Sequence, residues 1–412
     1  MPALVPLYHE VFQRVRTLTE PQALRQTAVT RLSLLITGLI AAQSAVLARI
    51  AAELAALDLT AATEVASIER RLRRTLSDAR LRPTTCYHAE LRRTLDWRRL
   101  LQGSRRVVLA VDDSSHTDQL HLFRLSLVYW GGALPLAWAV WEQNAAQPPG
   151  HYWAQVDAVL AQVRALLPPG LTVVVTADRA FDTPAWVDRV AAQGWHWLVR
   201  AKARGALRFR DARGYETALA RRIAHRVPRP GRRWKARGAV FKDAGWRAAS
   251  VVAGWAPGTV EPVVLLTDLP ATWTVLRLYD RRFWIEPGFR TDKTAGWHWE
   301  DSQVQGVGHH KRLLLAMAWA SLLMLSVGVA EAQRRLAAVA HRPRRGPRRP
   351  GRPRPARESL FTLGLRAVRR WLYQTAGEPL PWWLPELDAV RWWDRWWHAQ
   401  AQHRLRFQTV RP

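Results

Sequence analysis

The chain changes its hydrophobic rhythm twice. From about residue 10 to 100, apolar positions recur at helical spacing, punctuated by Pro21, Pro83 and Thr84–Thr85, which predicts a helical region. Near residue 105 the rhythm becomes that of short apolar runs. RRVVLAVDD reads as a strand ending in two acids, and LHLFRLSLVYWGG and LPLAWAVWE read as a hairpin turning at Gly131–Gly132. A helix over 150–167 follows, broken by Pro168–Pro169–Gly170. Then come a strand (LTVVVTAD) ending at Asp178, a helix (TPAWVDRVAAQG) and another strand (WHWLVRAK). Three strands, helix, strand, helix, strand predict a mixed α/β sheet with helices on its faces. Residues 203–270 read as a β-rich insertion of short strands and basic turns. Helical periodicity returns at 271–293 and 310–338, and no internal repeat is seen.

Two apolar runs raise the question of a membrane. Residues 313–330 carry eighteen residues without a charge, and 32–48 are similar but contain Thr37 and Gln43. Basic residues flank each run on both sides among amphipathic segments, so buried core helices are expected for both. MPALVPLYHEVFQRV has no apolar core, so no signal peptide is expected, and the chain reads as soluble and cytoplasmic. Cys86 is the only cysteine, which excludes an internal disulfide and a Cys-based zinc site.

Charge narrows the partner. The net charge is +29, with only Lys202, Lys235, Lys242, Lys293 and Lys311 as lysines. Arginine usage can exchange Arg for Lys, but it does not create a surplus, and the surplus suits a polyanion such as nucleic acid. Arginine pairs in IERRLRRTLSDARL would line one helix face. The segment HRPRRGPRRPGRPRPAR (341–357) is a Pro/Arg/Gly linker, and a Trp-rich helical piece containing RWWDRWWHAQ follows it. The organisation expected is a helical region at 1–100 whose arginine faces suit DNA binding, a mixed α/β region at 101–338 that would hold any catalytic site, a linker at 339–357 and a helical region at 358–412.

The candidate chemistry lies in the acids. Asp112, Asp113 and Asp178 end apolar runs, where α/β sheets place ligand sites, although aspartates also end strands because they favour turns. The stretch LYDRRFWIEPGFRTDK adds Glu286. On an α-helix Tyr279, Arg282, Glu286 and Lys293 fall within about 60° of arc, although Pro287 is expected to disturb the phase before Lys293. An Arg282–Glu286 pair could be an ordinary surface pair, but the tyrosine and lysine on the same stripe need another reason. Three carboxylates without cysteine suit Mg²⁺ or Mn²⁺, two of which can clamp an in-line phosphoryl displacement. Neighbouring cations would lower the carboxylate pKa values.

The spacing Tyr279–x2–Arg282–x3–Glu286–x6–Lys293 resembles the Y-(2)-R-(3)-E-(6)-K signature of DDE transposases of the insertion-sequence IS-four group. Asp112 and Asp178 lie upstream in the required order, with 66 residues between their positions and 108 from there to Glu286. The resemblance covers roughly residues 100–335. It implies a ribonuclease-H-like fold and metal ligation by Asp112, Asp178 and Glu286. The family's Asp–x–Thr/Ser pattern fits Asp112 with Ser114 and equally Asp113 with Ser115, leaving Asp113 as an alternative first ligand. Arg282 and Lys293 would hold DNA phosphates and Tyr279 would help position them. The implied activity is cut-and-paste transposition by a homodimer on double-stranded DNA. A nuclease on the same fold and a non-catalytic DNA-binding relic are the alternatives. Ser in place of Thr, the Arg/Pro linker and the Trp-rich tail depart from the pattern. His116, His121, His309 and His310 have no ligand spacing and read as surface residues. Trp246, Trp255 and Trp273 read as packing, or as a platform for an unpaired base.

Overall fold

A computed structural model describes residues 4–19, 24–56, 64–101, 104–116, 119–129, 132–202, 206–340 and 359–374. The Trp-rich tail and nearly all of the basic linker lie outside these residues.

The first hundred residues form α1 (Leu4–Thr19), α2 (Gln26–Ala42), α3 (Leu47–Ala56), α4 (Val65–Ser77), α5 (Pro83–Thr94) and the short α6 (Trp97–Leu101). The apolar run at 32–48 is not one rod. Gln43 takes a left-handed φ of 50°, and α3 leaves α2 at 89°. In α4, Ile68, Leu72 and Leu76 are buried at four-residue spacing while Arg70, Arg71, Arg73 and Arg74 face solvent.

The sheet is built from β1 (Arg106–His116), β2 (Leu120–Tyr129) and β3 (Gly132–Glu142), followed by α7 (His151–Leu166), β4 (Thr172–Ala177), α8 (Pro184–Ala192) and β5 (His196–Arg200). Thr183 caps α8 by accepting from the Trp186 amide at 3.3 Å, with Pro184 at the first helical position. The β-rich stretch then supplies β6 (Arg208–Asp211), β7 (Glu216–Ala218), α9 (Leu219–Arg226), β8 (Arg233–Val240), β9 (Arg247–Gly254) and β10 (Val263–Thr267). These strands do not form a sheet of their own. They extend one ten-stranded sheet in the order β3-β2-β1-β4-β5-β10-β9-β8-β6-β7. The pairs β1/β4 and β4/β5 are parallel and all others antiparallel.

The central strands are apolar on both faces because both faces are covered. Val108, Val174, Leu198, Val252 and Leu265 pack under α10 (Thr274–Asp280) through Val275, Leu276 and Leu278. Val107, Leu109, Val111, Val173 and Val175 face the larger core that includes α7 and α8. After α11 (Ile285–Arg290), α12 (Val307–Ala340) packs against α2, α4, α5 and β3, and α13 (Leu360–Gln374) crosses it. The apolar run of α12 is long enough to span a bilayer, but 94% of it is buried inside the protein, as in a core helix. Its crossing with α13 is made at glycine: a Cβ on Gly328 would run into the Leu360 carbonyl, and one on Gly364 into that of Met324.

Candidate active site

Strand register brings two aspartates to one level. Parallel pairing of β1 with β4 ends at Ala110↔Thr176, and Asp112 and Asp178 each lie two residues further on. Asp178 follows the last residue of β4, as expected, and its Oδ1 accepts from the Ala180 amide at 2.8 Å. Asp112 corrects the sequence expectation, because β1 does not end there. It continues to His116 by antiparallel pairing with β2 alone. Alternation along the strand separates the neighbouring acids. Asp113 turns toward α7, where the Tyr152 hydroxyl donates to it at 2.8 Å and His121 Nε2 lies 3.2 Å away.

The third carboxylate comes from a helical rod of changing pitch. α10 passes into a 3₁₀ turn (Arg281–Trp284), then α11, then a π turn (Thr291–Ala295). Pro287 does not break it. The residue lies in the first turn of α11, where a missing N–H removes no obligatory bond. Lys293 therefore stays beside the sheet and donates from Nζ to the Ser115 carbonyl at 2.6 Å, with Glu300 Oε1 at 3.6 Å.

Arg282 stands at the centre. It is 7% exposed, and its Nη2 lies 3.4 Å from Asp112 Oδ1 and 3.8 Å from Asp178 Oδ2. Its Nη1 donates to Glu286 Oε1 at 3.4 Å. One guanidinium thus meets carboxylates from β1, the end of β4 and α11. Burial pushes Asp112 up to about 6, reinforced by Asp178 and Asp113 and only partly offset by Arg282. Arg282 does lower it, as expected of a neighbouring cation, but desolvation outweighs that effect. Tyr279 is buried among apolar side chains, edge-on to Phe283, and burial pushes its hydroxyl up to about 12.

Several supporting residues carry no signature in the sequence. Arg124, opposite Asp112 on β2, forms a buried ion pair with Asp292 of the π turn and ties the helical rod to the sheet. A lone arginine inside LHLFRLSLVY was the available hint. Gly288 lets the rod approach, since a Cβ there would lie 3.3 Å from Arg124 Nη2 and 3.4 Å from the Ala133 carbonyl. Two histidines correct the surface reading. His116 and His310 are buried, His116 stacks on Trp299 at 3.9 Å, and Trp299 Nε1 donates to His310 Nδ1 at 3.1 Å. Burial lowers His116 to about 4, which keeps it neutral. Trp255 donates to the Thr259 carbonyl at 3.0 Å, and Trp246 lies under Arg210. Trp273 is partly exposed beside Arg233 and Lys235.

Carboxylates gathered at the level where neighbouring strands part, with cations beside them, form an arrangement suited to metal-assisted phosphoryl chemistry. The donor chemistry fits a hard divalent ion. Among the described residues, however, no three acidic, histidine or cysteine side chains converge on one ion-sized point, because Arg282 lies between the carboxylates. Residues 151–323 match the family model described as the transposase DDE domain. That match takes in Asp178, Glu286 and Lys293 and supports a DDE transposase, a class that is generally dependent on divalent metal. Comparison with curated proteins gives no match. Among solved structures, the chain is similar to a piggyBac transposase in a cryo-EM synaptic complex with hairpin DNA. Identity is 9%, coverage is 90% of this chain and 79% of that one, and the TM-score is 0.40.

Proposed function

We propose that this protein is a cut-and-paste DDE transposase of the insertion-sequence IS-four group. It would cleave transposon ends and join the freed 3′-hydroxyl to target DNA. The observation that carries this reading is the meeting of Asp112, Asp178 and Glu286 on one buried guanidinium. The strand order β3-β2-β1-β4-β5, with its parallel centre, supports a ribonuclease-H-like core.

In this reading Asp112, Asp178 and Glu286 hold Mg²⁺ or Mn²⁺, and Asp113, committed to Tyr152 and His121, is the less suited alternative. Two such ions supply activation of the attacking oxygen and stabilisation of the leaving one. Arg282 and Lys293 hold the phosphates flanking the scissile bond. Tyr279, locked in the core, fixes the rod that carries them. Water attacks the end phosphodiester, the P–O3′ bond breaks, and a 3′-hydroxyl is released. That hydroxyl then attacks a target phosphodiester and displaces a target 3′-hydroxyl, while Glu286 and the aspartates hold the same positions in both steps. Joining two ends in one event calls for a homodimer. Residues 1–100 would contribute DNA contacts, with the arginine face of α4 as one surface. A cytoplasmic, nucleoid-associated location follows from a DNA substrate.

Purified protein with Mg²⁺ and DNA carrying the ends that flank its gene tests this. Nicking with joining is the expected result. Nicking alone would indicate a nuclease, and binding alone a relic. Glu286→Gln should lower cleavage by at least about 100-fold, and undiminished cleavage by that variant would sink the site.

A further inference from the structure

We propose that a basic cleft on the far side of the helical rod holds the backbone of a second DNA duplex, separate from the one being cut. This rests on the transposase reading and deepens it. The cleft has a volume of about 520 Å³ and is lined by Arg105 and Arg106 at the start of β1, and by Arg277 and Arg281 of the rod. Among the described residues no acidic side chain lines it.

Its construction keeps it apart from the carboxylates. Arg106 pairs in register with Thr172 at the opening of the parallel β1/β4 ladder, whereas Asp112 lies six residues further along β1. At strand rise that separation is about 20 Å, so the cleft does not contact a phosphate held at the carboxylates. The rod divides its side chains in the same way. Positions 273, 277 and 281 are four apart and stack along one side. Tyr279 packs into the sheet's apolar cluster, and Arg282 turns to the aspartates.

Chemistry selects the partner. Four guanidiniums lining one cleft suit phosphate, since Arg donates in a rigid fork to anionic oxygens. The basic surface also runs beyond the size of one phosphate. At the N-terminal end of α10, Trp273 is partly exposed, with Lys235 Nζ 5.3 Å from its ring centroid. Cations near both ends of α10 fit a polymer backbone rather than a lone phosphate, and the second duplex that a strand-transfer reaction brings to the enzyme is target DNA.

The test uses the full chain and a labelled duplex of arbitrary sequence, with binding followed by fluorescence anisotropy across a salt titration. Arg105→Gln with Arg277→Gln, both at exposed positions, should weaken binding at least about tenfold near 0.1 M salt. It should also reduce the salt slope by about 2, one for each lost phosphate contact. Arg105→Lys with Arg277→Lys, and separately Glu286→Gln, should retain both quantities. In the cleavage assay the Gln pair should nick transposon ends normally and lose joining to target. Unchanged slope and affinity in the Gln pair would overturn the cleft while leaving the transposase reading intact. Nicking and joining lost in equal measure would also overturn it, by placing the cut duplex in the cleft. A wild-type chain that binds duplex normally but never cuts would bring down the transposase reading, with the salt slopes still reporting on the cleft.

Discussion

Arg282 decides the electrostatics of the candidate site, and Asp112 shows how incompletely it does so. A nearby cation favours the carboxylate, yet burial and two neighbouring acids move Asp112 from 3.8 to about 6. The folded protein therefore binds this proton more tightly than the unfolded chain does. The group stabilises the fold below about pH 4, and that contribution is lost as pH rises through about 6. A shift of about two units corresponds to about 3 kcal/mol. Asp112→Asn should accordingly unfold at higher urea than the parent at pH 8 without divalent ions, with the difference vanishing below about pH 4. Added Mg²⁺ should stabilise the parent and not the variant. A parent–Asn gap that does not change with pH would contradict this account of Asp112. At this scale the acids were legible because each stands out from its surroundings: two follow apolar runs, and Glu286 sits among cations. The burial of His116 and His310 was not legible, because their common partner Trp299 is distant from His116 in sequence and is brought to it only by the fold.

Elements, rather than single side chains, set the distances between those acids. The β1/β4 register levels Asp112 with Asp178, and the rod from α10 through the π turn places Arg282, Glu286 and Lys293 over them. The rod is fastened by Arg124–Asp292, a buried pair whose carboxyl is pushed upward by burial against the lowering effect of its arginine. Breaking such a pair from one side leaves the other charge buried, at a cost of about 3–5 kcal/mol. Asp292→Asn should lose about that much stability in urea unfolding. Cleavage should also fall, through misplacement of the rod, even at temperatures where the variant is fully folded. Equal stability of variant and parent would show that the pair does not fasten the rod. The alternation of strands and helices was readable in the apolar runs, because strand and helix periods differ. The uninterrupted rod was not, since a proline after Glu286 normally argues for a break. Only the 3₁₀ turn ahead of it moves Pro287 into a first-turn position. Nor could local pattern show that the strands of 203–270 would extend the same sheet, because strand partners are chosen by tertiary packing.

For the whole molecule the question is whether the N-terminal helices stand apart from the sheet that carries the site. Sequence texture changes at residue 105, and that change invites a boundary there, but packing runs straight across it. Tyr87 donates to the Pro135 carbonyl at 2.9 Å, and a ring nitrogen of His88 lies 2.8 Å from that of Leu136, which ties α5 to β3. Leu32, Leu35, Leu72 and Tyr87 of the helical region belong to one apolar cluster with Leu109, Leu136, Leu315 and Met324. α12 lies between the two regions, so its apolar length is buried only when both are present. Removing the first hundred residues would expose one side of that helix as a contiguous apolar patch, which soluble proteins rarely tolerate. A fragment spanning 104–412, which keeps α13 on α12, should therefore elute from size-exclusion chromatography as aggregate. The full chain should unfold with α-helical and tryptophan signals lost together. A monomeric fragment with native-like near-ultraviolet dichroism would show instead that the helices are an appended module. The same continuity bears on function. DNA contacts made by the arginine face of α4 would be rigidly coupled, through α12 and β3, to the strands that hold Asp112 and Asp178.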